Sequence, residues 1–152
     1  MDARKVSPAS PTTVDRAASI RSTLELLSRL LLSLIFLLAA AHKISAPVAT
    51  IALIEGRGLP APTACYVMTV AIEVLGGLAL LIGWQARLAS VGLAVFTLLA
   101  GSLFHYHWSD PNDFNHFLKN LAIIGGLMQI ALNGPGGLSL ASRKAAIVCP
   151  GR

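Results

Sequence analysis

The sequence predicts an all-α integral membrane protein, a bundle of four bilayer-crossing helices with a short interfacial helix between the first and second spans. Three observations predict it. Hydrophobic residues make up 55% of the 152-residue chain and charged residues only 12%, a balance too apolar for a soluble core of this size to bury. The apolar residues fall into long runs separated by short segments rich in Gly, Pro and charge, as expected of spans joined by tight connections. Basic residues sit at the ends of those runs instead of forming a patch with interleaved aromatics, so the net charge of +5 reports orientation, and no nucleic-acid partner is expected.

The elements follow in order. Residues 1–23 are polar, basic and dotted with Pro and Ser, without a helical apolar period, and read as a disordered cytoplasmic tail. The transmembrane domain occupies residues 24–140. Its first span runs from Leu24 to Ile44, with Glu25 and Arg29 near its start expected to snorkel to the interface. The run Ala39-Ala40-Ala41 resembles a signal-peptide cleavage site, but the long polar leader favours a retained span. Val48 to Glu55 reads as the helix lying at the interface, and Gly56-Arg57-Gly58 with Pro60 and Pro62 as a rigid turn.

The second span, Thr63 to Ile82, carries Glu73 as its only charge and stops at Gly83, with Trp84 placed for the aromatic belt. The third runs from Leu88 to Tyr106, followed by Trp108 and a loop over 109–115. The fourth, Phe117 to Leu132, falls short of the usual ~20 residues and ends in Asn133-Gly134-Pro135-Gly136-Gly137. Residues 141–152 form a second cytoplasmic tail. Nine Lys and Arg fall on the side of the termini and three, Lys43, Arg57 and Lys119, on the other, so both termini are expected in the cytoplasm. Cys65 and Cys149 then lie on opposite sides and form no bridge.

In this topology His42 and Lys43, Glu73, His105 and His107, and Lys119 and Asn120 converge in the outer half of the membrane. Helical spacing aligns Tyr66, Thr69, Glu73 and Gly76 on one face. It likewise aligns Ser90, Ala94, Thr97, Gly101 and His105, and on the fourth span His116, Lys119, Ala122, Gly126, Gln129 and Asn133. Small and polar stripes let helices approach in lipid, so all three are expected to face inward, and packing alone accounts for most of their members.

Glu73 is the exception, because an ionised carboxylate at mid-bilayer costs at least about 2.5 kcal/mol and needs a partner or a proton. Lys43 and Lys119 are the candidate partners. A structural ion pair between helices and a role in proton transfer or ligand binding stand level on these residues alone. His105 and His107 point about 200° apart on a continuous helix and do not share a metal; no metal site is expected.

The first span ending in Ala-Ala-Ala-His-Lys43, the turn Gly58-Leu-Pro-Ala-Pro62, the run Glu73-Val-Leu-Gly-Gly77 with Gly83, and Phe117-Leu-Lys-Asn-Leu-Ala-Ile-Ile-Gly-Gly126 before Gly134-Pro-Gly136 resemble the DoxX family of bacterial inner-membrane proteins. The resemblance covers residues 26–140. It implies a four-helix plasma-membrane protein with a polar cluster of Lys43, Glu73, His105, Lys119 and Asn120, and an association with redox or oxidative-stress complexes. The chain has no Cys-x-x-Cys, no paired haem-ligand histidines within its spans and no dinucleotide-binding glycine motif, so a redox role implies a bound quinone or a partner. The expected partners are the bilayer and either redox-complex subunits or further copies of this chain. The competing readings are a small-molecule or proton transporter, which needs the polar stripe to continue to the cytoplasmic side, and a scaffold whose polar cluster sets helix register. The residues alone leave open whether a reaction is catalysed.

Overall fold

The computed structural model describes residues 13–104 and 110–140. Among these, five helices form and no strand: α1 (Thr13–Ser45), α2 (Pro47–Glu55), α3 (Pro62–Ile82), α4 (Ala86–Phe104) and α5 (Pro111–Asn133). Three of them, α1 from Asp15, α3 and α4, are long and apolar enough to cross a membrane.

Two element boundaries differ from the sequence reading. Residues 13–23, read as flexible tail, belong to α1. Asp15 stands in the first turn and Arg21 pairs with Glu25 one turn on at 2.9 Å, and a turn added to an existing span carries no nucleation cost. The remaining tail residues, 1–12 and 141–152, lie outside the described residues. The loop over 109–115 is cut short because α5 starts at Pro111. Asp110 caps it, its carboxylate accepting from the Asn112 N–H at 2.8 Å, while Pro111 occupies the first turn, where its missing N–H costs nothing.

The α3–α4 connection shows how a short sequence stops a helix. Gly83 takes φ +71°, its N–H bonds to Leu80 O and the Trp84 N–H to Ala79 O, closing the carbonyls of the last turn. A side chain at Gly83 would also strike Arg29 and Ser139, so both conformation and space demand glycine there.

The long helices pack as two pairs, α1 with α3 and α4 with α5. The pairs meet through α3–α4 and, more lightly, α1–α5, while α2 lies against α3 and touches α1. Leu80, Leu93 and Leu127 form the sealed centre with Phe36, Ala86 and Ile130 around them. Outward faces keep large apolar side chains exposed on every long helix, for example Leu31, Leu75, Leu88 and Leu132. Water would not tolerate that continuous apolar surface; acyl chains cover it without penalty.

Two of the expected inward stripes point inward. Glu73 on α3, and Ser90, Thr97 and Gly101 on α4, are buried. The stripe on α5 does not: Lys119, Ala122, Gln129 and Asn133 are exposed, and Leu127 and Ile130 are buried. The space beside Leu80 and Leu93 takes bulky side chains, so packing volume sets the rotation of α5. Outside, Asn133 donates to the Gln129 carbonyl and side-chain oxygens at 3.0 Å, so these amides satisfy each other.

Candidate functional site

Glu73 lies halfway along α3, one position in the inward line of Thr69, Glu73 and Gly76, and its side chain is 5% exposed. Lys43 lies in the last turn of α1 and reaches it with both carboxylate oxygens engaged, Nζ to Oε1 at 2.8 Å and to Oε2 at 3.0 Å. The Tyr66 hydroxyl on α3 donates to the Lys43 carbonyl at 3.4 Å, which ties the α1 terminus to the same helix that carries Glu73. Because an ammonium has three donors and Glu73 takes two, one N–H of Lys43 remains for another acceptor.

The pair forms part of the wall of a cavity of about 610 Å³ between the two helix pairs. All five helices contribute to its lining, which is apolar apart from Lys43, Glu73, Asn120, Cys65 and three threonines. Asn120 reaches the cavity from α5, where its side chain rests on Gly101 of α4; a Cβ on that glycine would come within 2.8 Å of the Asn120 amide nitrogen. The close approach depends on glycine and places a neutral donor and acceptor on the cavity wall. The Thr97 hydroxyl donates to the Leu93 carbonyl of its own helix at 2.7 Å.

Of the residues singled out from the sequence, the structure therefore brings together Lys43, Glu73 and Asn120. Lys119 does not line the cavity; it lies on the exposed face of α5. His105 and His107 lie outside the described residues. His42 is exposed beside the end of α1, and His116 is half-buried in the second turn of α5. Among the described residues no three His, Cys, Asp or Glu side chains gather as metal ligands do. Thr50 and Leu59 escaped the sequence reading, because which residues of a connection face inward depends on how α2 folds back over α3; Cys65, in the first turn of α3, was read only as an unbridged thiol.

Arg29 is a second correction. Expected to snorkel to the interface, it is instead 1% exposed at the end of the molecule opposite α2. One terminal nitrogen donates to the Leu138 carbonyl, while Nε and Nη1 have no hydrogen-bond partner among the described residues. The turn after α5 folds over it, with Ser139 against Gly83 and Glu25 against Gly136. That burial depends on the path of residues 134–140, which no local periodicity announces.

Between this end and the cavity lie Leu80, Leu93 and Leu127, each no more than 1% exposed. The buried hydroxyls at this level, Ser33 and Ser90, are spent on the Leu30 and Ala86 carbonyls of their own helices. The cavity is thus blind at its lower end, an apolar pocket with an ion pair on its wall.

Helices of this length and surface, with a paired charge held on a cavity wall, define a polytopic α-helical membrane protein. The chain belongs to the DoxX family: the DoxX family model matches residues 24–106. It is 34% identical to inner membrane protein YqjF of Escherichia coli over 115 residues, 76% of this chain and 87% of that protein. It is 29% identical to inner membrane protein YphA of the same organism over 129 residues, 81% of this chain and 91% of the relative. ER-derived vesicles protein ERV29 of Saccharomyces cerevisiae is 31% identical over 81 residues, half of this chain but 26% of that protein. No solved structure matches the chain.

Proposed function

We propose that this DoxX-family protein crosses the bacterial plasma membrane four times, with both termini in the cytoplasm, and serves a membrane redox complex by holding a quinone. The observation that carries the reading is the Lys43–Glu73 pair on the wall of an otherwise apolar cavity of about 610 Å³. The volume is within the ordinary range of about 300–1,000 Å³ for small-molecule sites. Apolar walls with a few convergent polar groups match an aromatic head bearing carbonyl oxygens.

In this reading α5 supplies the fourth crossing, since it runs the length of the bundle beside α4, and α2 lies at the outer interface. Lys43 donates its remaining N–H to a ligand carbonyl while Glu73 keeps the ammonium in place. Asn120 offers a second donor from the opposite wall. A quinone bound there carries electrons and protons between redox partners. The Lys43 ammonium, held by the Glu73 carboxylate, keeps a proton within reach of the site. The electrons come from a partner subunit, because this sequence has no redox-cofactor motif. The transporter alternative receives less support, since Leu80, Leu93 and Leu127 close the inner half.

The test is purification in nanodiscs made with native lipid, followed by extraction and mass spectrometry of bound small molecules. Near-stoichiometric quinone is expected with the wild type and at least a tenfold loss with Glu73→Gln. If that variant fails to elute as a folded species, Asn120→Leu, outside the ion pair, gives the same reading. Bulk lipid alone in the wild type overturns the proposal.

A further inference from the structure

The faces of α3 and α4 that look at one another touch at one end and part at the other. A Cβ at Gly76 would fall 2.8 Å from the side chain of Leu93, so the two helices are in tight contact there. One to three turns toward the α2 end they separate: Met68, Thr69 and Ile72 of α3 line the cavity on one side, and Leu99, Ala100 and Leu103 of α4 on the other. Met68 (62%), Leu99 (58%) and Leu103 (44%) on this side are also exposed, as are Leu53 of α2 (55%) and Ile35 of α1 (43%) elsewhere on the cavity's edge. A side chain that both lines a cavity and faces the outside marks its rim. This rim is entirely apolar and lies on helices whose surroundings are acyl chains. Above it the turn after α2 is fastened to the end of α4: the Arg57 guanidinium stands 5.6 Å from the Phe104 ring centre and donates to the Leu103 carbonyl at 3.5 Å.

We infer that the α3–α4 cleft is a lateral port through which the cavity receives a tailed lipid from the bilayer, the polar head seated at Lys43 and Glu73 and the tail leaving between Met68 and Leu99. The inference rests on the reading of the cavity as a ligand site, and it narrows the ligand class: a water-soluble metabolite gains nothing from an apolar rim, whereas a lipid crosses it without leaving its solvent. A cavity of this volume holds a head and the first part of a tail, and the remainder stays in the membrane.

Cys65 lines the cavity and makes the port measurable without any quinone. In a Cys149→Ser background, it is the one thiol in the sequence. A maleimide carrying a sixteen-carbon chain is delivered in the nanodisc lipid, and a sulfonated maleimide is added from water. In both, the sulfur forms a bond to one carbon of the reagent's double bond, the thiol proton goes to the other, and no oxidant is needed. Ala100→Phe is expected to slow the lipid-borne reagent at least tenfold and to change the aqueous one less than twofold. Thr69→Phe, on the opposite wall, is expected to do the same and decides the matter if Ala100→Phe fails to fold. Ile35→Trp, at the exposed α1 side of the cavity, is expected to change neither. An unchanged lipid-borne rate in the folded α3 or α4 variants, slowing by Ile35→Trp instead, or failure of the lipid-borne reagent to reach Cys65 in the parent each overturns the port. Absence of quinone from the purified protein with these labelling rates as expected would remove the quinone and leave the port standing.

Discussion

Lys43 and Glu73 are thirty positions apart in the chain and joined by two hydrogen bonds. Removing one member of such a pair strands the other in an apolar wall, which costs about 3–5 kcal/mol, while removing both costs far less. Lys43→Met is therefore expected to destabilise the protein by about 3 kcal/mol or more, and Lys43→Met with Glu73→Gln to recover most of the loss. Equilibrium unfolding in detergent reads the coupling, and additive single losses would show that the pair is not an energetic unit. Arg29 poses the same question with a different answer. It meets a backbone carbonyl and the crowded surface of Gly83, so its burial joins the turn after α5 to the C-terminal end of α3, where a cation is favoured by the helix carbonyls.

Within single helices, glycines of the same type do opposite things according to what stands across from them. On α4, Gly101 faces the Asn120 side chain, whereas a Cβ on Gly92 meets nothing within 4 Å. Gly101→Val is expected to displace the Asn120 side chain from its seat and destabilise by about 1–3 kcal/mol. Gly92→Ala is expected to be neutral or to stabilise by up to ~1 kcal/mol through reduced backbone freedom. Thermal unfolding of the two variants in the same detergent tests this, and an equal loss at both positions would contradict the packing. The rotation of α5 belongs to this scale too. Its polar residues repeat at helical spacing, but so do Ile123, Leu127 and Ile130, and only contact with α4 decides which line turns inward.

For the whole molecule, the proposed four-crossing topology has a direct consequence. In a Cys65→Ser, Cys149→Ser background, a membrane-impermeant thiol reagent added to intact cells is expected to label Ser45→Cys and Asn115→Cys, and to spare Ser19→Cys and Leu138→Cys until the cells are opened. Labelling of Asn115→Cys and Leu138→Cys together from outside would deny that α5 crosses. The second and third spans were legible in the sequence to within a residue or two at their described ends, because an apolar run bounded by Pro and Gly has few ways to start and stop. The start of α5 was less legible, since Asp110-Pro111 reads equally well as a turn or as a capped helix start until the helix behind it is packed. Glu73 and Lys43 were legible as partners because charge in lipid must be neutralised. Lys119 was an equal candidate by depth and failed by rotation, facing out where Asn120 faces in.

Residue types and their order set the solvent and the elements: composition requires lipid, and hydrophobic length with its breakers sets helices and their approximate ends. Burial energy depends on side-chain area, which is a property of residues and readable one at a time. Which partner Glu73 takes, where Arg29 goes, which face of α5 is inside and where α3 and α4 part are decisions of the tertiary structure. Those depend on close packing between segments distant in the chain, where the fit of Leu93 on Gly76 or Asn120 on Gly101 fixes a rotation that no periodicity contains.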